Sequence, residues 1–378
     1  MSFEREVVIE KLVAGGDGLA RGEGKVIFVR GALPGETLRI RVLESKKDFE
    51  KAEIVTVITA SPHRIPLVCP VAERCGGCDL MHADAAGQAR FKVDMARDAY
   101  RRLGGFDPEY LTIETGSPLG YRNRVQWHTD AQGRTGFQAR RSHAVIPITE
   151  CKVAHPALAP LFASKPNLSP RPGRYSAYGH QSYGTLELMR ADQEPHGEVK
   201  VRVLDQEFVF GIETFFQSNL EMLERLIPYV MADLKGKLAL DLYCGVGLFG
   251  RFLQKTFDSV IGLEENPVAL DFAERNLAKP FRLIGGRLEE WAVKPELQDM
   301  KPDTVVFDPP REGLAPAARE WLVNLSATRM VYVSCDPVTQ ARDLKAFLAA
   351  GWRIKDMRLF DFYPQTHHLE AVAHLERL

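Results

Sequence analysis

Two sets of cysteines in this chain could do chemistry. Cys335 follows the apolar run "VYVS" and precedes Asp-Pro, so its thiol stands where a buried strand is expected to stop. Glu370, in "QTHHLEAVAHL", comes just before another strand-like run and close after His367 and His368. A thiolate and a carboxylate facing one rim would form a nucleophile and base pair. An isolated cysteine is more often a small buried filler. The strand-end position, the Asp-Pro turn and the late carboxylate argue for a reacting one. The second set, Cys69, Cys75 and Cys78, reads C-x5-C-x2-C with Gly76 and Gly77 between the last two. Two glycines let the backbone fold tightly enough for consecutive thiolates to point at one metal centre. Cys151, in "PITECKVAHP", is the natural fourth ligand, and an iron-sulfur cluster or a zinc ion would each suit four thiolates. No substrate pocket is expected beside this second set, so it reads as a fold staple.

What Cys335 would attack depends on its cofactor. "LALDLYCGVGLFG" is an apolar strand, Asp241, a glycine turn and the start of a helix, and Gly245, Gly247 and Gly250 match G-x-G-x-x-G. Alone that is a weak dinucleotide signal. Glu264 ends a second strand nineteen residues after Gly245, where a carboxylate can accept from ribose hydroxyls of either a nicotinamide cofactor or S-adenosylmethionine. "TVVFDPPREGL" decides between them. Its Asp-Pro-Pro turn, with Asp308, has no standard use in an oxidoreductase, whereas base-modifying methyltransferases commonly place an acidic-proline loop there. With a sulfonium methyl donor, the target that needs a thiolate and a base is uracil. Addition of the thiolate to carbon 6 makes carbon 5 enolate-like and able to take the methyl group, and a base then removes the carbon 5 proton so that the cysteine leaves. Asp308 would bond the uracil edge or the cofactor. Cys244, inside the glycine turn, reads as a buried filler.

These residues need elements to carry them. From about 235 onwards, strands such as "KLALDLY", "SVIGLE", "PDTVVFD" and "RMVYVS" alternate with amphipathic stretches, which predicts an open, mostly parallel α/β sheet. Residues 1–60 read as short strands with Gly and Pro turns, a small antiparallel barrel of oligonucleotide-binding type. Residues 84–103 have helical spacing, with Phe91, Met95, Ala99 and Leu103 at four-residue steps. The expected division is a barrel over 1–60, a small metal-binding β domain over 61–210 and a catalytic domain over 211–378. The helix near 84–103 is expected to pack on the catalytic domain.

Composition bounds the rest. The chain has 378 residues, a formal net charge of −1 and six cysteines. That charge excludes a globally basic nucleic-acid binder but leaves room for local patches. Residues 121–143 supply five arginines, Trp127, Phe137 and two histidines against one acid, which suits phosphate contact and base stacking. The barrel and this segment are both expected to lie outside the catalytic rim. No apolar run reaches membrane-spanning length and the start lacks a signal-peptide layout, so a cytoplasmic protein without a membrane partner is expected. A monomer is expected as well.

Read together, the motifs resemble the RNA 5-methyluridine methyltransferase family, in particular its 23S ribosomal RNA branch. "GDGLAR…KVIFVRGALPGE" resembles the TRAM domain, "CPVAERCGGCDLMH" the cluster motif and "FFQSN" a segment that opens the catalytic domain. "DLYCGVGLFG", "FDPPREGL", "VSCDPVTQARDL" and "HHLEAV" resemble the methyltransferase motifs in order. The resemblance implies a TRAM barrel, an iron-sulfur domain and a Rossmann-like methyltransferase domain. It implies a [4Fe-4S] cluster on Cys69, Cys75, Cys78 and Cys151. It also implies S-adenosylmethionine contacts from Gln217, Tyr243, Glu264 and Asp308, with Cys335 as nucleophile, Glu370 as base and large-subunit ribosomal RNA as partner. Leu248 and Arg287 depart from the pattern of the glycine turn and of the adenine contact. The alternatives are a transfer RNA uridine methyltransferase, a nicotinamide-dependent oxidoreductase and a non-catalytic RNA-binding or assembly protein.

Overall fold

The computed structural model describes residues 4–163, 172–180, 187–190, 197–278 and 280–377, so parts of the 61–210 segment lie outside the described residues. Alternation of apolar and polar residues builds the first unit. Along Thr37–Ser45, Leu38, Ile40 and Val42 turn inward while Arg39 and Leu43 face out. With Glu4–Val8, Lys11–Leu12, Gly18–Gly22, Lys25–Val29 and Phe49–Thr59 this strand forms one six-stranded sheet rolled around Val7, Ile27, Val29, Leu38, Ile40 and Ala52. All neighbours are antiparallel except Lys25–Val29 and Phe49–Thr59, which run parallel.

The helix over 84–103 forms as Ala85–Ala99, capped by Asp84, which accepts from the Gly87 N–H at 2.6 Å. It continues as a π-helical turn, Tyr100–Gly104. Its buried face packs against the helix Pro337–Ala349, with Ala96, Ala99 and Tyr100 beside Ala341, Leu344 and Phe347, and Tyr100 donates to Gln340 Oε1 at 2.6 Å. Beyond it, Val145–Pro147, Thr135–Gln138, Arg124–Thr129, Gly173–Tyr178 and Glu187–Arg190 form an antiparallel sheet.

The catalytic layer is an eight-stranded sheet. Its order is Phe281–Gly285, Phe257–Glu264, Gly236–Leu242, Thr304–Phe307, Arg329–Ser334, Glu370–Glu376, Arg353–Phe360 and Thr112–Glu114. The first five strands are parallel, and Glu370–Glu376 runs antiparallel to both of its neighbours. The core therefore draws on residues before 211. Thr112–Glu114 closes one edge of the sheet, and the hairpin Glu198–Val203 with Gln206–Gly211 buries Val199, Val201, Phe208 and Phe210 against Leu223, Leu226 and Phe252. Among the described residues no helix is long and apolar enough to cross a membrane.

Candidate active site

Strand direction assembles the rim. In an open α/β sheet, ligands bind outside the carboxyl ends of the parallel strands, at the point where the strand order reverses. Here the reversal lies between Gly236–Leu242 and Thr304–Phe307, so Tyr243 and Asp308, the residues that follow them, flank that crevice. The one antiparallel strand brings its amino end to the same edge. Ser334 pairs with Ala371, which sets Cys335 and Glu370 opposite each other one step further along. Two residues 35 positions apart in sequence thus close into a single pair across two strands.

The electrostatics of this pair follow from burial. Glu370 is 3% exposed, and burial together with the nearby Asp308 carboxylate holds it well above the ordinary carboxylate range. Asp308 is raised as well, by burial. Cys335 is pushed up to about 12, by burial first and then by Glu370 and Asp308, while Arg311 pulls it down. A thiol beside two carboxylates holds its proton more firmly than a free one. Cys335 also sits one residue before Asp336, the N-cap of Pro337–Ala349, where the helix amino end favours a thiolate. Tyr363, with its phenol pushed up to about 12 by burial and Glu370, lines the same neighbourhood.

The cofactor side of the rim is built from the glycine turn. Tyr243, Gly245 and Gly247 all have positive φ, of 60°, 54° and 86°. Nothing lies within 4 Å of a Cβ built on Gly245, so the turn is open to a ligand there. Glu264 accepts from the Gly245 N–H at 3.0 Å and the Asn266 N–H at 2.8 Å, which fixes its carboxylate at the strand end. Gln217 is buried, and its Oε1 has no hydrogen-bond partner among the described residues. A buried amide oxygen without a partner is costly unless a ligand meets it. Asp241 supports the turn from below, accepting from the Gly250 N–H at 2.6 Å. Leu248 belongs to the apolar core, and Arg287 pairs with Glu289 and Glu265 at the surface. Cys244 is buried.

Two expectations about the surroundings need correction. The barrel was expected outside the catalytic rim, yet its turn Leu12–Gly15 lines a cleft of about 550 Å³ together with Cys335, Arg311, His367 and His368. The reason is a set of contacts that sequence spacing does not show, among them Lys11 Nζ with Asp98 Oδ1 at 2.7 Å. Nor is the four-cysteine site free of any pocket. Cys69, Cys75, Cys78 and Cys151 line one cavity of about 800 Å³, and its wall continues through Arg122, Arg124, Arg140 and Arg141 to Ser218 and Tyr363. The arginine-rich segment therefore reaches from the cysteines to the rim. Trp127 does not serve it: it faces inward, is 2% exposed and packs edge-on to Phe162 at 5.7 Å. Exposed Phe215, two residues before Gln217, lines the cavity instead. Only its neighbour Gln217 was singled out from the sequence.

The four cysteines face one another across the wall of that cavity. Burial pushes Cys75, Cys78 and Cys151 up, and the other thiols add to each shift. The Gly77 N–H donates to Cys75 Sγ at 3.4 Å, an amide-to-sulfur bond that suits a thiolate. Among the described residues no three His, Cys, Asp or Glu side chains close on a single metal ion, whereas the cavity has room for a larger group.

Comparison with known proteins adds the following. The family model described as tRNA (Uracil-5-)-methyltransferase matches residues 287–378, and the TRAM domain model matches residues 4–55. A Streptomyces avermitilis protein described as an uncharacterized RNA methyltransferase is 34% identical over 430 residues, covering 100% of this chain and 99% of its own. The 23S rRNA (uracil(1939)-C(5))-methyltransferase RlmD of Shewanella sp. strain MR-7 is 29% identical, covering 100% of this chain and 96% of its own. In fold, the chain resembles the crystal structure of Pyrococcus abyssi tRNA (uracil-54, C5)-methyltransferase in complex with S-adenosyl-L-homocysteine. That match has a TM-score of 0.76 and 24% identity and covers 98% of this chain and 99% of the other.

Proposed function

The chain belongs to the RNA uracil-5-methyltransferase family and is an enzyme of that class, and from that premise we propose that it methylates carbon 5 of a uridine in 23S ribosomal RNA. The relative that acts on 23S RNA supports the substrate. The observation that carries the mechanism is the cross-strand placement of Cys335 opposite Glu370, with Asp308 beside them.

S-adenosylmethionine supplies an electrophilic methyl group, and Gln217, Tyr243, Glu264 and Asp308 would hold it. Gln217 offers a buried oxygen without a partner, and Glu264 a carboxylate fixed by two backbone N–H groups. Cys335 gives up its thiol proton to solvent and adds through sulfur to carbon 6 of the flipped uracil, forming the C–S bond and moving electron density to carbon 5. Once carbon 5 carries the methyl group, Glu370 takes its remaining proton, and the C–S bond breaks to release Cys335. Burial beside Asp308 raises the basicity of Glu370, which helps it remove a carbon-bound proton.

Cys69, Cys75, Cys78 and Cys151 would hold a [4Fe-4S] cluster. Such a group would tie the loop of residues 69–78 to Cys151, and no step of methyl transfer needs it. The function is tested by supplying S-adenosylmethionine with a labelled methyl group and mapping the label in protein-free 23S RNA. Label on carbon 5 of one uridine is expected. Efficient methylation of a transfer RNA transcript with 23S RNA left unmodified would overturn the substrate. Iron and sulfide at about four each per chain are expected after anaerobic purification, and zinc without sulfide would overturn the cluster.

A further inference from the structure

Asp79 follows directly after Cys78, and three parts of the molecule meet on it. Its Oδ2 lies 2.7 Å from His367 Nδ1, and since an ionised carboxylate only accepts, the ring donates from Nδ1. The backbone N–H groups of Asp79 and Leu80 both donate to Gln365 O, at 3.0 and 2.9 Å. Gln365 stands at φ 71°, a conformation that a residue with a side chain rarely adopts. It is held there from a second side, since its N–H donates to Gln88 Oε1 at 2.7 Å and its Oε1 accepts from Gln88 Nε2 at 3.0 Å. The third part is the barrel. A Cβ on Gly16 would come within 2.9 Å of Asp79 Oδ1, so the barrel turn rests on this carboxylate.

Gln365 and His367 are the loop that leads into Glu370. His367 lies against His368 at 4.0 Å between centroids with the rings tilted by 39°, and His368 accepts from Arg311, the cation that faces Cys335. We propose that Asp79 is a positioning residue, which ties the four-cysteine loop to the loop that sets Glu370 against Cys335. The cysteine site and the proton-abstracting step are then mechanically linked. Loss of whatever the four thiols hold loosens the base loop, while the cofactor side of the rim stays in place.

This inference rests on Glu370 as the base, so the test separates the two. Asp79→Ala, Asp79→Asn and Glu370→Gln are compared as full-length, metal-loaded proteins. Two rates are read with 23S RNA: the formation of a stalled adduct on RNA transcribed with 5-fluorouridine, and the breakdown of the adduct on ordinary RNA. Asp79→Ala should slow breakdown on the order of tenfold and change adduct formation by less than about twofold, as expected of a displaced base rather than a lost fold. Asp79→Asn, whose Oδ1 still accepts from His367, should recover most of the loss. A second readout needs no activity. The pH at which the Cys335 peptide reacts with iodoacetamide should fall in Asp79→Ala, and in wild-type protein stripped of metal, as the Glu370 carboxylate moves away.

Equal slowing of both rates, an Asn variant no better than Ala, or an unchanged Cys335 profile would overturn the positioning role. If Glu370→Gln breaks its adduct down normally while Asp79→Ala does not, the base assignment falls and the link stands, acting on another group of the loop.

Discussion

The rim at Cys335 and the cavity of the four cysteines use the same side chain in opposite ways. Cys335 stands on a strand end, before a helix of 13 residues, with carboxylates as its neighbours. Cys75, Cys78 and Cys151 stand on loops around a cavity, with other thiols as their neighbours. All are pushed up, so the direction of the shift does not tell them apart. What differs is the surroundings: buried carboxylates at the rim, other thiols around the cavity. On the proposed reading, the thiol opposite a base is the nucleophile, and the thiols opposite one another are ligands.

The sharpest way to break this contrast is to delete one thiol of each kind. Cys335→Ala should reduce methylation to background while leaving iron content and melting temperature as in wild type. Cys78→Ala should lose iron and melt earlier, and its methylation should fall with its fold. Similar losses of iron in both variants would erase the distinction. The next effect concerns the base. Glu370→Gln keeps the shape but lacks the basic oxygen, so ordinary RNA should accumulate as a methylated, denaturation-resistant complex. Normal turnover would move the base to His367, His368 or water.

A smaller effect is the pH dependence of that step. Because burial and Asp308 raise Glu370, it stays protonated, and useless as a base, to a higher pH than an ordinary glutamate. Adduct breakdown should therefore accelerate about tenfold per pH unit on the low-pH side and level off above the raised value. A profile already flat at pH 5 would contradict the assignment. The smallest effect is on stability alone. Lys92 is fully buried and donates to Asp361 Oδ1 at 2.6 Å, tying the helix Ala85–Ala99 to the catalytic sheet. Burial lowers the lysine and raises the aspartate, each towards its neutral form. Lys92→Met should cost about 3–5 kcal/mol, and adding Asp361→Leu should recover most of it, as read by denaturant unfolding.

Much of this was legible in the sequence wherever pattern is local. The apolar runs ending at Leu242, Glu264, Phe307 and Ser334 are strands of the parallel sheet, and the residues at or just after their ends flank its carboxyl edge. The four cysteines were legible as a set because the glycines and the spacing are chemical signals. Tertiary pairings were not. Thr112–Glu114 is three residues long, too short for periodicity, and its partner Arg358–Phe360 is more than 240 positions away. The register that sets Cys335 opposite Glu370 depends on one strand reversing direction, which no spacing encodes. Trp127 misled because an aromatic among arginines suggests stacking, while alternation along Arg124–Thr129 turns it into the core. The Asp79 and His367 pair spans 288 positions, so only the fold reveals it.

The central claim is that Cys335 attacks the uracil, and covalent trapping tests it most directly. Carbon 5 bearing fluorine has no proton for Glu370 to remove, so the adduct cannot break down. Wild-type protein with S-adenosylmethionine and 5-fluorouridine-substituted 23S RNA should yield a denaturation-resistant complex whose mass is protein plus methylated nucleotide, with the link mapped to the Cys335 peptide. Cys335→Ala should yield none. Equal trapping by Cys335→Ala, or a link mapped to Cys244, would contradict the account.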